Sequence, residues 1–254
     1  MSDSEETRFT NGKWNSIMEI IKLDDYEALS RKAASLIIKE IRKNKNALLC
    51  AATGNSPTGT YAFLKKQFDL DHSLFSELRV IKLDEWGGIP IDNPSTCESY
   101  LQEHLIGPLQ ITSDRYISFQ SDPQNPAGEC GRIQQELGKA GPINICVLGL
   151  GMNGHLALNE PGVFLEAIPH VAELSASSLT HPMIGGAGKK PSYGLTLGMS
   201  DILQSSCILV LISGSKKREI TTELLKRKIS TELPASFLWL HPNVVCLVDR
   251  EAFP

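Results

Sequence analysis

The strongest constraint on this chain is an apolar run that empties into glycines and polar side chains. Residues 143–148 read as a buried strand. Gly149 and Gly151 follow and let the backbone turn where a side chain would clash. Asn153, His155, Asn159 and Glu160 then crowd into residues 153–160. Open α/β sheets hold their ligands at the carboxyl ends of strands, so this stretch speaks to fold and site together. His155 exchanges protons near neutral pH. Glu160 can orient and charge-stabilise an imidazole, and Asn153 can hold a hydroxyl or a ring nitrogen without adding charge.

The run GLGMNG has the outline of a dinucleotide loop, but that pattern alone is weak. A dinucleotide site needs a helix directly after the third glycine and an acidic residue about 20 positions on. Here Gly154 is followed by His155 and then by the turn-forming Asn159-Glu160-Pro161-Gly162. Nicotinamide and flavin are therefore set aside.

Strand–loop–helix units recur along the chain. Residues 26–44 carry a helical apolar stripe, and Asp24 or Asp25 is placed to cap it. Residues 47–52 read as a strand and 60–68 as a helix, with Thr53, Gly54, Asn55 and Ser56 opening the loop between them. A hydroxyl-rich loop before a helix start can cradle an anion; read alone it is equally a plain turn. No Gly-Lys-Ser/Thr follows, which argues against a nucleotide triphosphate. Residues 78–83 form the next strand and end in Asp84-Glu85. This pair is either a base with its hydrogen-bonded neighbour or a helix cap beside a surface Glu. Residues 97–105 and 127–140 read as helices, 116–119 and 193–197 as strands, and 199–203 as a short helix. Residues 207–212 are a strand followed by Ser213-Gly214-Ser215-Lys216-Lys217-Arg218, a second anion cradle or a solvated basic turn, and then a helix over 218–227. Residues 234–240 are a helix or tight turn, and 244–248 the last strand. Residues 162–192 lack a period and are a candidate lid. The alternation predicts an α/β fold: a doubly wound, mostly parallel sheet with helices on both faces. The expected organisation is a flexible tail over 1–14 and a single domain over 15–254.

Charge and cysteines narrow the setting. A net charge of −4 gives no basic excess for nucleic acid. The six cysteines form no CxxC pair, and four lie in strand-like runs, which suits a reducing cytoplasm. The acidic start has no apolar core of a signal peptide, and no run is long enough to span a membrane. No metal-ligand spacing is visible.

Four blocks carry a family resemblance: ATGNSPTGTY at 52–61, KLDEW at 82–86, LGLGMNGHLALNEPG at 148–162 and GSKK at 214–217. The chain resembles the glucosamine-6-phosphate deaminase family of aldose–ketose isomerases over almost its full length. Within it, NPSTCESYLQEHL and STELPASFLWLHPN look most like the galactosamine-6-phosphate isomerase branch. The resemblance implies a modified Rossmann-like fold without a dinucleotide, no cofactor, a small amino sugar phosphate as substrate and a possible homo-oligomer. It implies that Asp84 moves a proton between C2 and C1, and that His155 opens the sugar ring. Glu160 would pair with His155, supported by Asn153, where some members carry Asp. Thr53, Gly54, Asn55 and Ser56 would hold the phosphate and Lys217 would supply charge. Glucosamine-side members place a phosphate-binding arginine after the central loop, where the count here reaches His181. The alternatives are glucosamine 6-phosphate as substrate, a 6-phosphogluconolactonase, and a sugar-phosphate sensor without catalysis.

Overall fold

Short apolar runs build the centre of the molecule. The structure, a computed structural model, describes residues 18–179, 182–184 and 190–254. The expected tail and His181 lie outside these residues. The strands are β1 Met18–Leu23, β2 Leu48–Ala51, β3 Arg79–Lys82, β4 Asp84–Gly87, β5 Tyr116–Ile117, β6 Ile145–Gly149, β7 His170–Ala172, β8 Tyr193–Thr196, β9 Cys207–Ile212 and β10 Val244–Asp249. The helices are α1 Tyr26–Lys43, α2 Asn55–Leu70, α3 Cys97–Leu101, α4 Pro126–Ala140, α5 Ala176–Leu179, α6 Met199–Leu203 and α7 Arg218–Leu225.

Seven strands pair in the order β1-β10-β9-β6-β2-β3-β5, and every pairing is parallel. Successive side chains point to opposite faces. Cys50, Ile81, Cys146, Leu148, Val210 and Cys246 enter one core with α4, α6 and α7. Leu49, Val80, Val147, Leu209 and Leu247 enter the other with α1 and α2. Burial on both faces is why these strands read as unbroken apolar runs. The expected doubly wound sheet is present.

Three further strands, β4-β8-β7, form a small antiparallel sheet. The chain passes from one sheet to the other at Leu83. Its N–H donates to the Ala51 carbonyl, and its own carbonyl accepts from Leu197. Asp84 therefore stands at the corner where the sheets meet.

The winding reverses beside β6. From β2 the chain moves outward to β3 and β5; from β6 it moves the other way to β9 and β10. The carboxyl ends of β2 and β6 flank this reversal, the place where doubly wound sheets open a crevice.

Several sequence expectations need correction. α2 starts at Asn55, so Asn55 and Ser56 belong to its first turn and not to a loop. Pro57 is tolerated there because first-turn N–H groups have no partner inside the helix. Gly59 is required by packing: a Cβ on it would meet Ser30 Oγ of α1 at 2.4 Å. The helix over 97–105 is α3 followed by a π-helical turn, Gln102–Ile106. Residues 162–192 are not structureless where described. They carry β7, α5 and the 3-10 turn Pro182–Ile184. β1, unassigned from the sequence, pairs with β10.

Candidate active site

The cleft at the winding reversal is lined by Thr53, Gly54, Asn55 and Ser56 after β2, Asp84 after β3, His155 after β6 and Lys217 after β9. It encloses about 160 Å³, below the roughly 300–1,000 Å³ of pockets for drug-sized ligands. That space suits a small polar molecule. Four loops far apart in sequence thus meet, and seven of the ten candidate residues face one space. Asn153 and Glu160 stand behind His155, and His181 lies outside the described residues.

The β2 loop is built to present N–H groups. Gly54 takes φ +87° as the N-cap of α2, a conformation costly for a side chain. It supplies no capping oxygen, so the first-turn N–H groups stay uncapped. The loop carbonyls are held by tyrosines: Tyr61 donates to Ala52 O at 2.7 Å, Tyr100 to Gly54 O at 2.9 Å and Tyr26 to Asn55 O at 2.5 Å. Lys217 joins this end of the cleft from the turn Ser215–Lys217. Its ammonium donates to the Leu150 carbonyl. Burial pulls its pKa down, with no neighbouring carboxylate opposing the shift. Uncapped N–H groups and a largely buried cation make this end receptive to an anion.

The His155 ring is held by Glu160 at one edge and by Gly151 beneath it. Its Nδ1 lies 3.2 Å from Glu160 Oε2. The same oxygen accepts from Asn153 Nδ2 at 2.8 Å. Glu160 Oε1 accepts from Ser175 Oγ at 2.9 Å and from the Ser178 hydroxyl. Burial would raise the Glu160 pKa, but His155, Ser178 and Asn153 together bring it down to about 2. An ionised Glu160 accepts the hydrogen bond from Nδ1–H and leaves Nε2, which has no partner among the described residues, to accept a proton and later give it. Under the ring lies Gly151, where a Cβ would come within 2.3–2.5 Å of the imidazole. The second glycine of the loop is therefore a seat for the ring.

Asp84 is served differently. Among the described residues its one side-chain hydrogen bond is weak, from Cys97 Sγ at 3.9 Å. Burial, and then the Glu85 charge, push its pKa up to about 7, against the pull of His155, Lys82 and Cys97. The neighbouring Glu85 is fully buried. It accepts from the N–H groups of Trp86, Cys97 and Glu98 at 2.7–2.9 Å. The capping role weighed for Asp84 thus belongs to Glu85, and the surface role weighed for Glu85 is wrong.

Sequence reasoning missed Cys97, Ser175, Ser178 and the cleft-lining Trp86 as parts of this site. Ser175 and Ser178 lay within the segment without a period, and no spacing ties them to Glu160. The run Pro94-Ser95-Thr96-Cys97 signalled a helix start, but not that its cysteine would meet Asp84.

A doubly wound α/β protein with an acid, a seated imidazole and an anion-receptive helix start at its winding reversal is the class defined by this geometry. The family model for glucosamine-6-phosphate isomerases/6-phosphogluconolactonase matches residues 24–246. The chain belongs to that family. It is 40% identical over 237 residues to the Escherichia coli (strain K12) protein named "Putative deaminase AgaI", covering 93% of this chain and 94% of that one. It is 34% identical to glucosamine-6-phosphate deaminase 1 of Bacillus subtilis (strain 168), covering 92% and 98%. A solved monomeric glucosamine-6-phosphate deaminase superposes with a TM-score of 0.88 at 32% identity, covering 92% and 98%. The 6-phosphogluconolactonase of Thermotoga maritima shares the fold, with a TM-score of 0.73 at 20% identity, covering 92% and 100%. Among the described residues no helix is long and apolar enough to cross a membrane.

Proposed function

We propose that this chain isomerises and deaminates an amino sugar phosphate, converting galactosamine 6-phosphate and water to tagatose 6-phosphate and ammonia. The observation that carries this reading is one cleft that holds a carboxyl poised near neutrality, an imidazole with Nε2 free and an anion-receptive helix start. The phosphate sits against the first turn of α2 and Lys217, which fixes the sugar far from the bonds that change. His155 Nε2 gives a proton to the ring oxygen as the O1 hydroxyl loses its own, and the sugar opens. Asp84 then takes the proton from C2, and protonation at C1 yields a ketose imine. Water adds to the imine carbon, and ammonia leaves. A base with a pKa of about 7 is half ionised at neutral pH, where general bases work best. Glu160 stays charged throughout.

The preference for galactosamine 6-phosphate rests on sequence blocks such as KLDEW and STELPASFLWLHPN. Glucosamine 6-phosphate is the second reading, favoured by the names of relatives 32–34% identical to the chain. The two sugars differ in configuration at C4. The test is ammonia release from each sugar by purified protein. Faster turnover of galactosamine 6-phosphate supports the preference, equal rates defeat it, and no ammonia from either defeats the reaction. The protein is expected to act in the cytoplasm, without a cofactor.

A further inference from the structure

Behind Asp84 lies a buried cluster that the reaction above does not use. Lys82, the last residue of β3, is fully buried. Its ammonium donates to Glu85 Oε2 at 2.6 Å and to Glu98 Oε2 at 2.8 Å. Glu98 Oε2 also accepts from Ser118 Oγ at 2.6 Å and from Tyr116 OH at 3.0 Å, and Glu98 Oε1 accepts from Gln102 at 2.7 Å. The cluster holds one cation and two carboxylates, and Asp84 adds a third carboxyl beside it. Three carboxylates cannot all ionise in a buried site without a cation among them. A lysine at a strand's end costs desolvation that a leucine there would not, so a role in folding alone does not account for it.

We propose that Lys82 is a positioning residue for Asp84: it neutralises Glu85, and through Glu85 it fixes the start of α3 and holds Cys97 Sγ against the Asp84 carboxyl. The path is continuous. Lys82 pairs with Glu85, Glu85 accepts from the Cys97 and Glu98 N–H groups, and Cys97 Sγ faces Asp84 Oδ1. Cys97 also accepts from Thr53 Oγ1 at 3.5 Å, which ties the same thiol to the anion end of the cleft. The titratable groups that act on or beside Asp84 are Lys82 from β3, Glu85 from β4, Cys97 from α3, Cys50 from β2 and His155 from the loop after β6. Of these, Glu85 opposes ionisation of Asp84, whereas Lys82, Cys97 and His155 favour it.

This inference rests on Asp84 as the base, and its test separates the two. The pH dependence of kcat/KM for ammonia release is measured for wild type, Lys82→Met and Glu85→Gln. Lys82→Met leaves Glu85 uncompensated, so the acidic limb moves up by about one pH unit or more. Glu85→Gln leaves Lys82 uncompensated, so the limb moves down. A purely structural role lowers activity at all pH values and moves neither limb. Where Lys82→Met does not fold, Glu85→Gln and the milder Glu98→Gln carry the test, both with downward shifts. Limbs that stay in place, or shift in the same direction for Lys82→Met and Glu85→Gln, overturn the proposal. A second readout does not use turnover: the change in Tm caused by Asp84→Asn, followed against pH in the wild-type and Lys82→Met backgrounds. Its midpoint reports Asp84 ionisation and rises in the Lys82→Met background; an unchanged midpoint overturns the proposal. Full activity in Asp84→Asn would instead remove the base assignment itself.

Discussion

Two carboxylates serve the site, Asp84 in the cleft and Glu160 behind His155; both are drawn at least partly out of water, yet Asp84 is pushed up to about 7 and Glu160 is held down to about 2. Glu160 is met by donors on both oxygens, from Asn153, His155, Ser175 and Ser178. Asp84 has, among the described residues, a single weak thiol donor, and it has a like charge at Glu85. Burial pushes both pKa values up; at Glu160 the donors outweigh it, and at Asp84 burial and the Glu85 charge prevail. One carboxyl is fixed as a permanent anion that orients a histidine. The other is left able to take and return a proton. Separation of this kind is how a site assigns acid and base roles at one pH.

The largest way to break the comparison is Asp84→Asn. Ammonia release is expected to fall by roughly 10²–10⁴-fold, the usual worth of a general base. Stability is expected to move the opposite way. The folded pKa near 7 exceeds the ordinary 3.8, so ionisation costs nothing below about pH 4, increasingly more toward pH 7, and a constant amount above. The variant is therefore more stable than wild type at pH 8, by on the order of 2–4 kcal/mol, and equal to it at pH 4. Thermal unfolding at the two pH values checks this.

Glu160→Gln is next, with kcat expected to fall roughly 10²-fold because the imidazolium loses its counter-charge. The sign of its stability effect is reversed. The folded pKa lies below the ordinary 4.5, so the carboxylate stabilises the fold above pH 4.5, and this is lost as pH falls toward 2. The variant should be less stable at pH 7 by on the order of 1–2 kcal/mol, after discounting for partial exposure, and equal to wild type near pH 2. Lys217→Met removes a largely buried cation without a carboxylate partner. KM is expected to rise by roughly 10-fold or more while the fold loses nothing, since phosphate contributes uniform binding. Gly151→Ala is the smallest. Its methyl group displaces the His155 ring, and kcat falls roughly 10-fold with KM near wild type, as expected for misplacement of a reacting group.

Much of the frame was legible because strands buried on both faces leave apolar runs, as in Leu48–Ala51, Ile145–Gly149 and Cys207–Ile212. The edge strand Met18–Leu23 breaks its apolar residues with Glu19 and Lys22, follows no two-residue period and escaped notice. Asp84–Gly87 and His170–Ala172 are short and stabilised by pairing across sequence, so no local period marks them. The α2 start was misplaced because Asn-Ser-Pro-Thr-Gly has the composition of a turn; the choice is made by the packing of Gly59 on Ser30. In the site, residues close in sequence were found together: Asn153, His155 and Glu160 in one loop. Cys97 and Ser178, which donate to Asp84 and Glu160, come from other elements and carry no motif of their own.

The most direct test is turnover of galactosamine 6-phosphate in deuterium oxide, with the label at C1 of the ketose product read by NMR. Wild type is expected to release ammonia and, as the Asp84 carboxyl exchanges with solvent before it returns its proton, to place deuterium at C1; Asp84→Asn is expected to do neither. Deuterium arriving at C1 at the wild-type rate without the Asp84 carboxylate would contradict the account.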